Sequence, residues 1–505
     1  MVITRATALT QNTDYVANDA FSADSTEFAL DRLTVGIQDV KAGVGRSLRV
    51  ADHLPAINPI ADPDAPVLAW ATQPVSVTAY GAVGDDLTDS TAAFTAALAL
   101  GRPVFVPAGT YRISSSIAIS ASGSGLIGQG REVSEIKIVS TTAKAITIAN
   151  GLTRVILKGI RVTREGVPVA GADGIDCSTA ILGTSTFEDI ACEGHWDGVS
   201  LGVTDYSYLN NVLTKKNYRD GIRMTNVGTN GQLQWNLHQC LSQLNDGNGY
   251  HVLVDGSAGQ VTLGNWDSCS TYANTGNGVR AVGSASMPVQ GLRLNNCYVG
   301  EDNGGAGVYL DTHGTFHRII GCFIELCGRV ATGRTASTAA TNTGPGIWAT
   351  ANNNALTVSD TRIDSCSYDG IQSGARAFNA SGCDITDNGL ALTANRRNGI
   401  KLISGTSYAS IMGGTSGHRS TGTSQQFVLE AVSATGTTMM GVAVMNIGSG
   451  IVTGPLPNLI GNTVAGHFIV SDGLILGTPT GSNKGAGTLN SAGDQYKNNT
   501  AYTNP

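Results

Sequence analysis

Five side chains whose chemistry suits a polar polymer fall at one fixed place in a repeat. Arg223, His251, Arg280, Tyr309 and Trp348 each stand two residues after a recurring glycine. Guanidinium groups bind carboxylates or sugar hydroxyls, and aromatic rings stack on the apolar faces of sugar rings. A merely solvated β surface does not need such a column, so these five are the candidate substrate-binding residues. Acids stand in the loops ahead of it: Asp197, Asp220, Asp246, Glu301, Asp302, Glu325 and Asp369. Acids among Asn, Asp and Gly are usually turn formers. Glu301, Asp302, Glu325 and Asp246 are the candidate catalytic set, because Glu301 and Asp302 sit beside Tyr298 and Tyr309 and Glu325 falls at a similar place one coil later. If these carboxylates align, one rung separates Glu301 from Glu325 by about 5 Å, and two rungs separate it from Asp246 by about 10 Å. Glycoside hydrolysis needs two carboxyl groups, about 5 Å apart for retention and about 6.5 to 9.5 Å for inversion. The competing chemistry is β-elimination from a uronic acid, which requires a neutralised carboxylate, a base and an acid. Arg223, Arg280, His251 and Tyr309 suit those roles.

The elements that must position these residues follow from the repeat. The glycine recurs at 174, 198, 221, 249, 278, 307, 346, 370 and 399, in steps of 23 to 39 residues, and precedes an inward-outward-inward alternation such as Val308-Tyr309-Leu310. A second marker joins a polar residue or glycine to a small apolar one, at Asn211-Val212, Gln239-Cys240, Ser268-Cys269, Asn296-Cys297, Gly321-Cys322 and Gly382-Cys383. Three short strands per coil, turned by Gly, Asn and Asp, predict an all-β chain folded as a right-handed parallel β-helix with inward residues stacked in columns. The outward column then runs Asp176, Ser200, Arg223, His251, Arg280, Tyr309, Trp348, Gln372 and Lys401, with neighbours about 4.8 Å apart. Trp235 and Trp266 fall on inward frames. The nine cysteines are odd in number and mostly share equivalent positions, which favours an inward column over a disulfide framework.

Composition agrees. Of 505 residues 65 are glycine and 14% are charged, as suits a turn-rich folded chain. The balance of 31 basic to 38 acidic residues argues against nucleic acid or an anionic membrane as partner. The first ten residues have no signal-peptide pattern and no run reaches a membrane span, which predicts synthesis in a reducing cytosol. Residues 1–73 read as a neck, with a short coiled-coil-like helix from Asp24 (Leu30, Leu33, Ile37, Val40, Val44) and a linker from His53 to Gln73. Residues 74–130 read as a capping region, with a strand leading into Gly81, Asp89 or Ser90 capping a helix, and Asp85, Asp86 and Asp89 as turn or cap residues. Residues 131–430 read as the β-helix, with a projecting loop at Ala331 to Gly344, and 431–505 as a small C-terminal β region.

Two stretches resemble known families. The run TRATALTQNTDYVANDAFSADSTEFALDRLTVGIQDV, continuing through Arg46-Ser47-Leu48-Arg49-Val50, resembles the segment that follows the virion-attachment domain in tailspikes and tail fibres of podovirus-like phages. In that family an attachment domain usually precedes this segment, and the resemblance implies that here it is missing or truncated at Met1. VSVTAYGAVGDDLTDSTAAFTAALALGRPVFVPAGTYRI resembles the opening of the pectate-lyase-like β-helix superfamily, in which such a helix covers the first coil. The polygalacturonase motifs and a calcium-type acid cluster are not found, so pectin is a poor fit, and neither metal nor other cofactor is expected. The resemblance implies a homotrimeric phage tailspike, made in the host cytoplasm and carried on the virion tail or another tail protein. Such a spike binds and endo-cleaves a bacterial surface polysaccharide, with hydrolysis favoured over a lyase reaction. A non-catalytic receptor-binding spike is the alternative class, and the tail-like termini disfavour a cellular wall-active lyase.

Overall fold

The computed structural model describes residues 74–226, 231–254, 261–328, 344–390 and 398–417, most of 425–445, and strand residues 450–453, 458–460, 463–464, 495–497 and 500–502. The helix from Asp24, the linker to Gln73 and residues 331–343 of the projecting loop lie outside them.

One coil runs through Gly231–His238, Leu241–Gln243 and Tyr250–Leu253, and the next through Asn265–Asp267, Ser270–Tyr272 and Val279–Val282. Each strand pairs in parallel with its counterpart one coil on: Leu237 with Trp266, Leu241 with Ser270, Tyr250 with Val279. The third strands form a 13-stranded ladder from Ile117–Ile119 to Gly450–Thr453, while first and second strands form the larger sheet. The chain is therefore a parallel β-helix, and its coils continue past Ser404, where the glycine marker fades. Ile222, Tyr250, Val279, Val308, Ile347, Ile371 and Ile400 form one buried inward column. Burying such a side chain contributes about 1.5–3 kcal/mol, and a one-residue slip would expose the whole column. That is what holds the outward residues in line.

Both sequence markers have physical causes. Asn211, Gln239, Ser268 and Asn296 occupy left-handed corners between first and second strands, with φ of 55, 51, 53 and 52°. The corner turns the next residue inward, so Cys240, Cys269, Cys297, Cys322 and Cys383 are all buried free thiols, as the column reading expects. The recurring glycine is there for room. A Cβ on Gly221 would lie 1.9 Å from Ser242 Oγ, and one on Gly249 would lie 2.0 Å from Thr271 Oγ1.

The turn between second and third strands is held by side chains. Asn217, Asn245, Asn274 and Asn303 are fully buried, and each of the first three donates its amide to the next carbonyl oxygen at 2.9, 2.8 and 3.0 Å. This ladder satisfies polar groups that a dry coil interior would otherwise strand.

At the N-terminal end, helix α1 (Thr91–Leu98) buries Ala93, Phe94, Ala97 and Leu98 over the first coil, with Phe94 edge-on to Tyr111 at 5.8 Å. It covers strand edges that would otherwise be open to pairing. Asp89 accepts from the Thr91 N–H at 3.0 Å and the Ser114 hydroxyl at 2.6 Å, and Asp85 accepts from Leu87 and Thr88 N–H, so both act as turn and cap residues. Ser90 occupies the cap position without a side-chain capping bond. The strand expected before Gly81 is only Val75–Ser76, followed by the 3-10 turn Val77–Tyr80.

Candidate functional site

The outward column of the third strands is in register. Asp176 pairs with Ser200, then Arg223, His251, Arg280, Tyr309, Trp348, Gln372 and Lys401, one per coil. The side chains make a chain of contacts. His251 Nε2 lies 3.1 Å from Arg280 Nη1, the Arg280 guanidinium carbon lies 5.7 Å from the Tyr309 ring centre, and the Tyr309 and Trp348 rings meet edge to face at 5.3 Å. Arg223, Arg280, Tyr309 and Trp348 are half-buried, while His251 is only 5% exposed.

The residue that sequence reasoning treated as a turn former completes this arrangement. Asp220 Oδ2 accepts from His251 Nδ1 at 2.7 Å and lies 3.4 Å from Arg223 Nη1. Its Oδ1 accepts from the Asn248 N–H at 2.8 Å and the Asn248 amide at 2.9 Å. Burial pushes the Asp220 carboxyl upward, but the His251 and Asn248 hydrogen bonds outweigh it and lower it to about 2. Asp220 therefore stays ionised, fixes the Nδ1–H tautomer of His251, and leaves Nε2 as the basic nitrogen facing Arg280. Burial also raises the Tyr309 hydroxyl, Asp311 raises it further, and Arg280 opposes both, so this phenol holds its proton.

Asp220 belongs to a second polar ladder, formed by the Asp or Asn that stands just before most of the marker glycines. Asp197 N–H donates to Asp173, Asp220 N–H to Asp197, Asn248 N–H to Asp220, and Asn277 N–H to Asn248. The sequence signal was visible as Asp-Gly or Asn-Gly pairs at 173, 197, 220, 248, 277, 369 and 398. Asp197 is also paired to Arg219, whose guanidinium lies 5.5 Å from the Trp196 ring. Burial, with the Asp197 charge added, raises Asp173 to about 6. Burial raises Asp369 likewise to about 6.

The acids expected to align as a catalytic set do not share one level. Val299 is level with Ile324, which makes Glu325 level with Gly300 and one residue out of step with Glu301. Asp246 follows the line through Thr275 to Gly304, whose N–H groups donate to Asn217, Asn245 and Asn274 carbonyls. The reason is an inserted residue: Glu301 and Asp302 are both left-handed, at φ of 39 and 65°, where neighbouring coils use one such corner. Glu325 lies at the end of second strand Phe323–Glu325, and its Oε1 accepts from the Tyr298 hydroxyl at 2.7 Å. Burial raises the Tyr298 hydroxyl, as do Glu325 and Glu301. Glu301 and Glu325 are thus brought near Tyr298 on the second strands, while Arg223, His251, Arg280, Tyr309 and Trp348 are brought together on the third. Among the described residues, no group of three or more His, Cys, Asp and Glu side chains converges as a metal site.

Residues 74–302 match the family model for pectate-lyase-like rhamnogalacturonase A/epimerase. That part of the β-helix is similar to this pectate-lyase-like family. This β-helix covers 80% of its length when superposed on tailspike protein 3 of bacteriophage CBA120, and 64% of that chain, at a TM-score of 0.52 and 14% identity. The pre-neck appendage proteins of Bacillus phages PZA and phi29 are 28% identical to it over 173 residues. Those alignments cover 31% of this chain and span only 20% of the length of the curated relatives.

Proposed function

We propose that this β-helix is a phage tail appendage, trimeric when assembled, that binds an acidic bacterial surface polysaccharide along its third-strand face and cleaves it there. The observation that carries the reading is the unbroken Asp220–His251–Arg280–Tyr309 series, in which a carboxylate, a base, a cation and a phenol each stand against the next. The similarity to phage appendage proteins supports a place on a virion tail.

The series suits β-elimination from a uronic acid. Arg280 turns from His251 to the substrate carboxylate, with Arg223 alongside, and this uncovers Nε2. The carboxylate's neutralisation acidifies the C5 proton, which Nε2 takes while Asp220 stabilises the imidazolium. The electron pair forms the C4–C5 double bond, the C4–O bond breaks, and the departing oxygen takes the Tyr309 proton. One chain becomes a reducing end and an unsaturated uronate, and proton return from His251 through solvent resets Tyr309. No external oxidant or reductant is needed. Trp348 gives a neighbouring sugar an aromatic platform.

A second reading is glycoside hydrolysis by Glu301, Asp302, Glu325 and Asp246, favoured by the two glutamates acting on one phenol, Tyr298. Incubation with extracted capsule and lipopolysaccharide separates the readings. New reducing ends with rising absorbance near 235 nm support elimination, whereas reducing ends alone support hydrolysis. Retained binding with neither signal would leave a non-catalytic receptor-binding spike.

A further inference from the structure

A different face carries aromatic and acidic groups that the third-strand site does not use. The outward columns of the second strands place Tyr298 level with Phe323 and Phe323 level with Arg362, while Glu325 is level with Asp364. The Tyr298 and Phe323 rings lie 5.7 Å apart at 60°, and the Arg362 guanidinium sits 4.7 Å from the Phe323 ring centre. Arg362 is also bound to Asp364 at 2.5 Å, and Tyr298 to Glu325 at 2.7 Å, so both flanking groups are held in place. Gly300 makes room for this: a Cβ there would lie 2.7 Å from the Tyr298 ring. Phe323 and Tyr298 are nevertheless only half-buried and Arg362 is exposed.

We propose that this face, centred on Tyr298, Phe323 and Arg362, is a second glycan-binding surface that takes an uncharged stretch of polysaccharide. Fixed, part-exposed rings flanked by hydrogen-bonding groups suit the apolar face and hydroxyl edge of a sugar ring. Charge sets the class. Glu301, Glu325 and Asp364 outnumber Arg362, which is already paired, so a uronate is repelled where the Arg223 and Arg280 face attracts it. The two faces lie on different sheets, so a polymer of alternating composition is held by chemically distinct surfaces. This inference stands apart from the cleavage reading.

Native-gel affinity electrophoresis tests it, using gels cast with dextran, galactan or mannan and, as acidic control, polygalacturonate or alginate. The unmodified protein should be retarded by at least one neutral polymer. Phe323→Ala should weaken that retardation about ten-fold, the scale of losing one well-packed aromatic contact. Arg280→Ala should leave it intact. Retardation by the acidic polymers should show the opposite pattern, so failure there would count against the third-strand site alone. If Phe323→Ala misfolds, Arg362→Ala at the exposed position should weaken neutral binding in its place. Absence of retardation by every neutral polymer overturns the proposal, as does equal retardation of the variants. A lower mass for Phe323→Ala in sedimentation would also overturn it, by making this face a contact between copies of the chain.

Discussion

Asp220 and His251 lie on successive coils and share a hydrogen bond of 2.7 Å, although neither has any sequence neighbour in common. Asp220 reaches the pair from the ladder before the marker glycine, and His251 from the outward column two residues after it. Exchanging Asp220 for Asn puts an amide where a carboxylate held Nδ1–H, so the imidazole takes the wrong tautomer. Cleavage by Asp220→Asn should fall by about 10² to 10⁴, as should cleavage by His251→Ala, while polymer binding changes only a few-fold. Initial rates near 235 nm beside equilibrium binding check this. A parallel loss of binding would mean that the pair only holds the surface together.

Arg280 stands between the base and the aromatic platform, with a single-site role in recognising charge. Arg280→Ala should weaken binding of an acidic polymer by about ten-fold or more at low salt, and Arg280→Lys should restore only part of it, because Lys lacks the planar fork. The difference from the unmodified protein should shrink as ionic strength rises. Titration at several salt concentrations decides it. Salt-independent loss would point to packing against Tyr309 rather than to charge.

The third-strand column was legible in the sequence because its period depends on inward burial, which leaves a strong trace as glycine followed by Val-Tyr-Leu or Ile-Arg-Met. The Cys column and the inward Trp235 and Trp266 were legible for the same reason. The level of Glu301, Asp302 and Glu325 was not, since one extra left-handed residue is taken up within the corner before Asn303, where it puts Glu301 and Asp302 out of step with their neighbours and carries no hydrophobic signature. Asp220 was visible but read as a turn former. It is one, and the hydrogen bonds that hold the turn are also those that keep it ionised beside His251. The face of Tyr298, Phe323 and Arg362 was missed because its members come from second strands only three residues long, too short to show a period.

The marker glycine and the Asn ladder make separate predictions about stability. Gly221→Ala would drive a methyl into Ser242 and Thr214, at 1.9 and 2.6 Å, in a coil whose register is fixed on both sides. Overpacking of this kind costs about 1–3 kcal/mol. Asn245→Ala removes the oxygen that accepts from both the Asn217 backbone N–H and the Asn217 side-chain amide, for a loss on the order of 1–3 kcal/mol. Both should lower the unfolding midpoint in denaturant while leaving the slope unchanged. A stability-neutral Gly221→Ala would show that the coil relaxes where the columns imply it cannot.

Asp173 makes the opposite prediction, because its replacement should stabilise. Burial and the charge of Asp197 raise its carboxyl to about 6, above the usual 3.8. The folded chain thus holds this proton more tightly than the unfolded one. Stability linked to it is fully present below about pH 3.8 and is lost as pH rises through about 6. Asparagine occupies the equivalent ladder position at 248, 277 and 398, so Asp173→Asn keeps an acceptor for the Asp197 N–H without the charge. The variant should match the unmodified protein near pH 4 and exceed it at pH 7 by on the order of 1–3 kcal/mol, with no further gain above that. Denaturant midpoints measured from pH 4 to pH 8 give the test. A constant difference across that range would mean that Asp173 is ionised throughout, held by Ser200 and the Asp197 N–H against both burial and repulsion.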